Sequence, residues 1–220
     1  MPQRIIPGAV VARIWSLYRA NARVLLPAAL VLSAVQLAVA LLLPITLAIV
    51  FTLVFWVLAL LYQGFVVELV AQARVGAVEA GQGELVRAVT PALGSLLAIS
   101  ILFAIGVAIG FVLLIVPGLV LLTFWSVVVP VAVLERPGVL GAFGRSRELV
   151  RGNGWNVFGV IVLVYVAVLV MSLLAALIAA PLGHVGRDLV QWGVNVAITP
   201  VVALSASVLY FELLDAQRGI

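Results

Sequence analysis

Hydrophobic and polar positions in this chain alternate in blocks of about 20 residues rather than every two or four, which is the scale of bilayer-crossing helices. Six apolar runs stand out, at about 24–43, 45–71, 91–116, 118–134, 155–180 and 189–213. Pro44, Pro117-Gly118 and Pro181 punctuate them. Thr90-Pro91 reads as the start of the third, with Thr as cap and Pro at the first helical position. In hydrocarbon every backbone amide must be satisfied within its own segment, so spans of this length are helices. The pattern predicts an all-α, polytopic membrane protein. Its six transmembrane helices form three hairpins in a single integral membrane domain, residues 1–220.

The gaps differ in character. Pro44 and Pro117-Gly118 make tight, uncharged turns, whereas 72–87, 135–153 and both termini are polar. Two polar segments precede a span and are amphipathic at helical spacing. In the first, Val10, Val11, Ile14, Trp15, Leu17 and Tyr18 oppose Arg13, Ser16, Arg19 and Arg23. In the second, Val139, Ala142, Phe143, Leu149 and Val150 oppose Arg145, Arg147, Glu148 and Arg151. Both are expected to lie in the head-group plane on the cytoplasmic side, apolar face down. Arg13, Arg19, Arg23, Arg145, Arg147 and Arg151 are then candidate contacts for anionic lipid head groups, or a collar that only orients the spans. A similar Leu-x-Arg pattern at Leu17-Tyr18-Arg19, Leu85-Val86-Arg87 and Leu149-Val150-Arg151 opens each hairpin, so a threefold repeat is one reading and chance the other.

Charge gives the arrangement a direction. The basic residues are 12 arginines, with no lysine, and all but Arg187 fall in the termini and every second gap. That bias, with an even number of spans, places both termini in the cytoplasm of a cell whose inner membrane the chain crosses. The chain is 66% hydrophobic and 9% charged, against about 25% charged in soluble domains. Nucleic acid is excluded as a partner, because the arginines flank spans instead of lining one face. Arginine without lysine, amid abundant Ala, Gly and Val, suggests a GC-rich bacterial source. Ala38-Val39-Ala40 resembles a signal-peptidase site, but the apolar run from Val24 is longer than a signal core of about 7–15 residues, so an uncleaved first span is expected.

Chemistry is sparse. The chain has no cysteine and one histidine, His184, beside Arg187 and Asp188 in an outer connection. Asp188 is expected to open the sixth helix. No P-loop, His-Glu-x-x-His helix or Gly-x-Ser-x-Gly elbow is present. No catalytic, metal or cofactor residue is expected, and no cofactor. Glu68 and Glu212, at matching ends of spans two and six, could line a vestibule, pair with collar arginines, or simply snorkel. Gln36, Asn195, Thr199, Ser205 and Ser207 are expected to bond between helices. Gly106 and Gly110, and the ladder Ser172, Ala176 and Ala180, are small residues suited to close helix packing within the chain. Trp15 and Trp155 suit the inner interface and Trp192 the outer one.

The stretch Ile115-Val-Pro-Gly118, then Val129 to Glu135, Ala142, Arg145-Ser146, Leu149 to Asn153 and Trp155 to Gly159 resembles a bacterial membrane-domain family. It is similar to the integral membrane domain attached to some glycerophosphoryl diester phosphodiesterases, which also occurs as stand-alone multi-span proteins. The resemblance covers roughly residues 115–160. It implies a six-span inner-membrane protein linked to envelope lipids. It carries no diesterase activity, since the acidic and His ligands of such enzymes belong to a separate soluble domain. Three functions follow as expectations. The first is a non-enzymatic protein acting through packing, membrane lipids or a membrane-protein partner. The second is a small permease or transporter subunit for a neutral or lipidic solute. The third is a lipid-modifying enzyme, which would need convergent ionisable groups.

Overall fold

A computed structural model describes residues 5–42, 45–75, 83, 87 and 89–218 of the chain. These residues form an all-helical polytopic membrane protein, in the order α1 (Pro7–Leu42), α2 (Ile45–Val75), a 3-10 turn (Thr90–Ala92), α3 (Leu93–Leu113), α4 (Ile115–Phe124), α5 (Val128–Leu134), α6 (Val139–Val150), α7 (Gly154–Ala179) and α8 (His184–Arg218). Six helical stretches are long and apolar enough to cross a membrane, with α4 and α5 together making the fourth. The turn predicted at Pro44, and the Leu85-Val86-Arg87 copy of the repeat, lie largely outside the described residues.

Helix α8 is the hub. It packs most extensively on α1, then on α7 and α2, so the first and last spans are neighbours. Its face from Ala203 to Ala216 is buried against Val10, Ile14, Leu25 and Ala29 of α1 and Phe65, Val66 and Leu69 of α2. Most of this core lies toward the arginine-bearing ends of the helices. Beyond it the surface is apolar and exposed, notably Val112, Leu113, Leu114, Ile115 and Val116 at the α3–α4 corner and Leu177 and Ile178 on α7. Such a band could not face water, and lipid is the solvent that accepts it.

Several boundaries move from their predicted places. Helix α1 runs without interruption from Pro7, through Pro27. The first amphipathic segment is therefore continuous with the helix of the first span, and Val10 and Ile14 face protein rather than head groups. The apolar face of α6 is likewise internal, with Ala142, Leu149 and Val150 buried. The break after α3 falls at Leu114, whose backbone is extended (φ −170°, ψ 153°), not at Pro117-Gly118. Pro117 sits in the first turn of α4, where its missing amide hydrogen has no intrahelical partner to lose. Thr90 and Pro91 lie within the 3-10 turn, and α3 begins only at Leu93. Asp188 falls in the second turn of α8, past any capping position. The repeat copies also differ locally. Leu17 to Ala20 is mid-helix, while the chain turns after Val150 through Gly152 at φ 92°.

Gly110 holds the α3–α4 hairpin together. A Cβ placed there would lie 2.9 Å from Gly118 Cα, so backbone meets backbone at that crossing. A Cβ at Gly106 would lie 2.5 Å from Trp125 Cζ3. Both glycines thus pack within the chain. On α7 the buried small residues are Ala175 and Ala179, while Ala176 and Ala180 of the predicted ladder are exposed and Ser172 is half-buried.

Candidate membrane cavity and arginine-rich end

Span four is not one helix. Between α4 and α5 the chain leaves helical geometry at Trp125 (φ −102°, ψ 7°) and Val127 (φ −112°, ψ 16°). Pro130 favours a break here, although α1 and α8 run on through Pro27 and Pro200. Pro130 has no amide hydrogen to give to Ser126 O four residues back, and its ring collides with that carbonyl in a continuous helix. The amide of Val128 turns to Trp125 O (3.1 Å) and so leaves Phe124 O without its helical donor. Ser146 Oγ, from α6, donates to Phe124 O instead at 2.8 Å. The indole of Trp125 is held edge-on by Phe143 of α6, ring centroids 4.8 Å apart.

This break borders a cavity of about 690 Å³ between α2, α3, α7, α8 and span four. Its wall is mainly apolar, with Phe103, Phe111 and Val164 among the lining residues. It opens on the flank of the bundle, where Tyr165 and Val202 are exposed. No charged residue is among its lining residues. Five side chains bearing an amide or hydroxyl border it: Gln63, Ser100, Ser126, Tyr165 and Ser205, of which Ser205 already donates to Val202 O. The Ser126 hydroxyl is buried without a hydrogen-bond partner. No hydrogen bond within the described residues engages the side chains of Gln63, Ser100 and Tyr165. Irregular backbone at membrane depth survives where it is buried in protein or lines a cavity, and span four meets that condition. Sequence reasoning passed over all of this. The signal was Pro130, lying inside an otherwise continuous apolar run.

At the other site, one end of the bundle collects the ionic groups. Arg13 Nη1 lies 2.7 Å from Glu212 Oε1, Arg74 Nη2 reaches both carboxylate oxygens of Asp215 at 2.8 and 3.0 Å, and Arg145 contacts Glu135 and Glu148 at 3.0 Å each. Tyr210 Oη donates to Glu135 Oε1 at 2.9 Å, linking α8 to the end of span four. The guanidinium of Arg74 also sits over the Phe211 ring, 4.7 Å from its centroid. Partial burial acts to lower the pKa of Arg145, but its hydrogen bonds to Glu148 and Glu135, and their charges, outweigh that and raise it above the usual arginine value. A smaller cavity of about 300 Å³ lies between α1, α2 and α8 and is lined by Arg13 and Arg74.

The predicted site residues therefore separate. Glu212 pairs with a collar arginine, whereas Glu68 accepts from Gln72, one turn along its own helix at 3.4 Å. Arg13 and Arg145 are held by carboxylates. Arg19, Arg23, Arg147 and Arg151 are exposed, and no carboxylate among the described residues forms an ion pair with them. Arg19 lies over the Trp15 ring, 5.6 Å from its centroid. Trp15 and Trp155 are exposed, and Trp192 is half-buried with its indole nitrogen unpartnered. Thr199, Ser205 and Ser207 do not bond between helices as expected. Each donates back to a carbonyl of α8, at Asn195, Val202 and Ala203. A hydroxyl three or four residues beyond a carbonyl on one helix reaches it more easily than a neighbouring helix does. His184 opens α8 and is exposed, and Arg187 Nη2 donates to Ala180 O at 3.1 Å. Among the described residues no three His, Asp or Glu side chains gather as a metal site would require.

Six apolar helical stretches, an apolar flank and one ionic end define a multi-pass helical membrane protein. No family model matches this chain, and no curated protein or solved structure matches it either.

Proposed function

We propose that this protein resides in the bacterial cytoplasmic membrane with both termini inside, and associates with anionic envelope lipids without performing chemistry itself. The observation that carries this reading is the set Arg19, Arg23, Arg147 and Arg151. These are exposed guanidiniums at the ionic end, while neighbouring Arg13, Arg74 and Arg145 already hold carboxylates. A guanidinium beside the head-group layer pairs with phosphate, at about 1 kcal/mol per charge near an anionic surface. The resemblance of residues 115–160 to the membrane domain that accompanies some glycerophosphoryl diester phosphodiesterases is in keeping with a lipid-linked role. The two amphipathic segments contribute Arg19, Arg23, Arg147 and Arg151 to this layer, while Val10, Ile14, Ala142, Leu149 and Val150 are taken up by the protein core and Trp15 stays exposed.

Native mass spectrometry of the protein extracted in mild detergent tests the reading. Phosphatidylglycerol or cardiolipin should be retained by the natural protein, and lost when Arg19, Arg23, Arg147 and Arg151 are replaced together by Gln. Equal retention of the anionic lipid by both proteins, or retention of zwitterionic lipid as strong as anionic by the natural protein, would remove the basis for it.

A second reading, a permease or transporter subunit for a neutral or lipidic solute, is favoured by one specific observation. The interrupted span four lines a cavity, and discontinuous helices are a recurrent feature of transporter binding sites.

A further inference from the structure

We infer that the cavity behind Trp125 is a binding site for an uncharged amphiphile, an aliphatic chain carrying a hydroxyl or ester group, whose polar group is held by Ser126, Gln63, Ser100 and Tyr165. This deepens the second reading, but it stands whether the occupant is moved across the membrane or kept.

Depth is the first argument. Counting about 1.5 Å per α-helical residue and about 2 Å per 3-10 residue, Gln63 lies about 17 Å along α2 from Arg74, Ser100 about 17 Å from Thr90 through the 3-10 turn and α3, and Tyr165 about 17 Å along α7 from Gly154. The three side chains thus lie about three helical turns in from those starting residues, within stretches apolar enough to cross a membrane. Polar groups at that depth need partners, and a carbonyl and a hydroxyl supply the acceptor and donor that an amide and three hydroxyls can use. Ser126 is the most demanding of them. Its hydroxyl is buried, and it belongs to the non-helical segment between Trp125 and Val127.

Charge is the second argument. None of the lining residues is Asp, Glu, Arg or His, so a phosphate, carboxylate or ammonium would enter unpaired. Shape is the third. A volume of about 690 Å³ falls within the range of about 300–1,000 Å³ typical of small-molecule sites. The apolar wall and the opening on the lipid-facing flank admit a chain directly from the bilayer. A phospholipid would have to bring its charged head group against a wall that offers it no counter-charge, whereas an uncharged lipid can enter whole.

Equilibrium binding to the purified full-length protein in detergent tests this with 1-monooleoylglycerol as probe and oleyl sulfate, which has the same chain length and a permanent charge, as competitor. The expected result is one monooleoylglycerol per chain, with oleyl sulfate displacing it poorly. Ser126→Ala and Gln63→Leu should each weaken binding by about threefold to tenfold, the loss of one hydrogen bond. Ala104→Trp, which fills the cavity, should abolish it in protein that remains monodisperse. Equal competition by oleyl sulfate overturns the inference with no variant needed, and so does undiminished binding to the filled cavity. Retention of anionic phospholipid at the arginine end is read separately, so failure of one site leaves the other reading intact.

Discussion

Ser146 Oγ donates a 2.8 Å hydrogen bond to Phe124 O, joining the short helix α6 to the end of an interrupted transmembrane helix. Both partners need it. The Phe124 carbonyl loses its helical donor because Val128 N bonds Trp125 O, and Ser146 is fully buried. With Ala142, Leu149 and Val150 also buried, the bond ties α6 into the protein core rather than leaving it a strap on the surface. Ser146→Ala leaves a carbonyl unpaired in a dry site and should destabilise the protein by about 1–3 kcal/mol. A lowered thermal midpoint in detergent is the expected outcome, and an unchanged one would show that water replaces the hydroxyl.

Close packing in the α3–α4 hairpin has no slack. Gly110 meets Gly118 backbone to backbone, and Gly106 meets the Trp125 ring. Leucine at either glycine must force the helices apart or displace an indole that is already wedged by Phe103 and Phe143. Gly106→Leu and Gly110→Leu should each prevent stable folding in detergent. Monodisperse protein of ordinary thermal stability would refute the packing argument.

The two ion pairs of α8 are unequal. Arg13 is half exposed, at 49%, and such a pair is worth about 0–1 kcal/mol. Arg74 is less exposed, reaches both oxygens of Asp215 and covers Phe211, so its guanidinium is used as a charge and as a plane. Asp215→Asn should lower thermal stability more than Glu212→Gln, and Arg74→Lys should not behave as a conservative change. Equal midpoints for the two carboxyl variants would contradict this ranking.

Sidedness can be measured directly. Arg147 lies in α6, next to the Glu135–Arg145 pair, and His184 opens α8 after a turn at the other end of α7. Reporter fusions at these two positions should give opposite sidedness, with Arg147 cytoplasmic. The same sidedness at both would undo the six-span arrangement.

The ionic end was half legible in the residues. Arginine clustering announced which gaps belong together, and Glu212 was visible as a carboxylate at the right level of its span. Its partner was not, because Arg13 lies 199 positions away and only the pairing of α1 with α8 brings them together. Glu68 had the same local features and found Gln72 on its own helix. The cavity was not legible at all. Gln63, Ser100 and Tyr165 come from three helices and share no spacing.

What the chain's residues determined alone was the class and the number of spans, though not their bounds, since an apolar run of about 20 residues reads as a bilayer crossing and a crossing segment satisfies its backbone as a helix. They also determined the gathering of arginines in alternate gaps. Tertiary structure decided which helix faces meet. Lipid and protein interior are equally apolar, so hydrophobicity cannot tell a buried face from an exposed one within a span. That is why α6 and the start of α1 turned their apolar faces to protein, why Ala175 and Ala179 packed in place of Ala176 and Ala180, and why the break before Pro130 became a cavity wall.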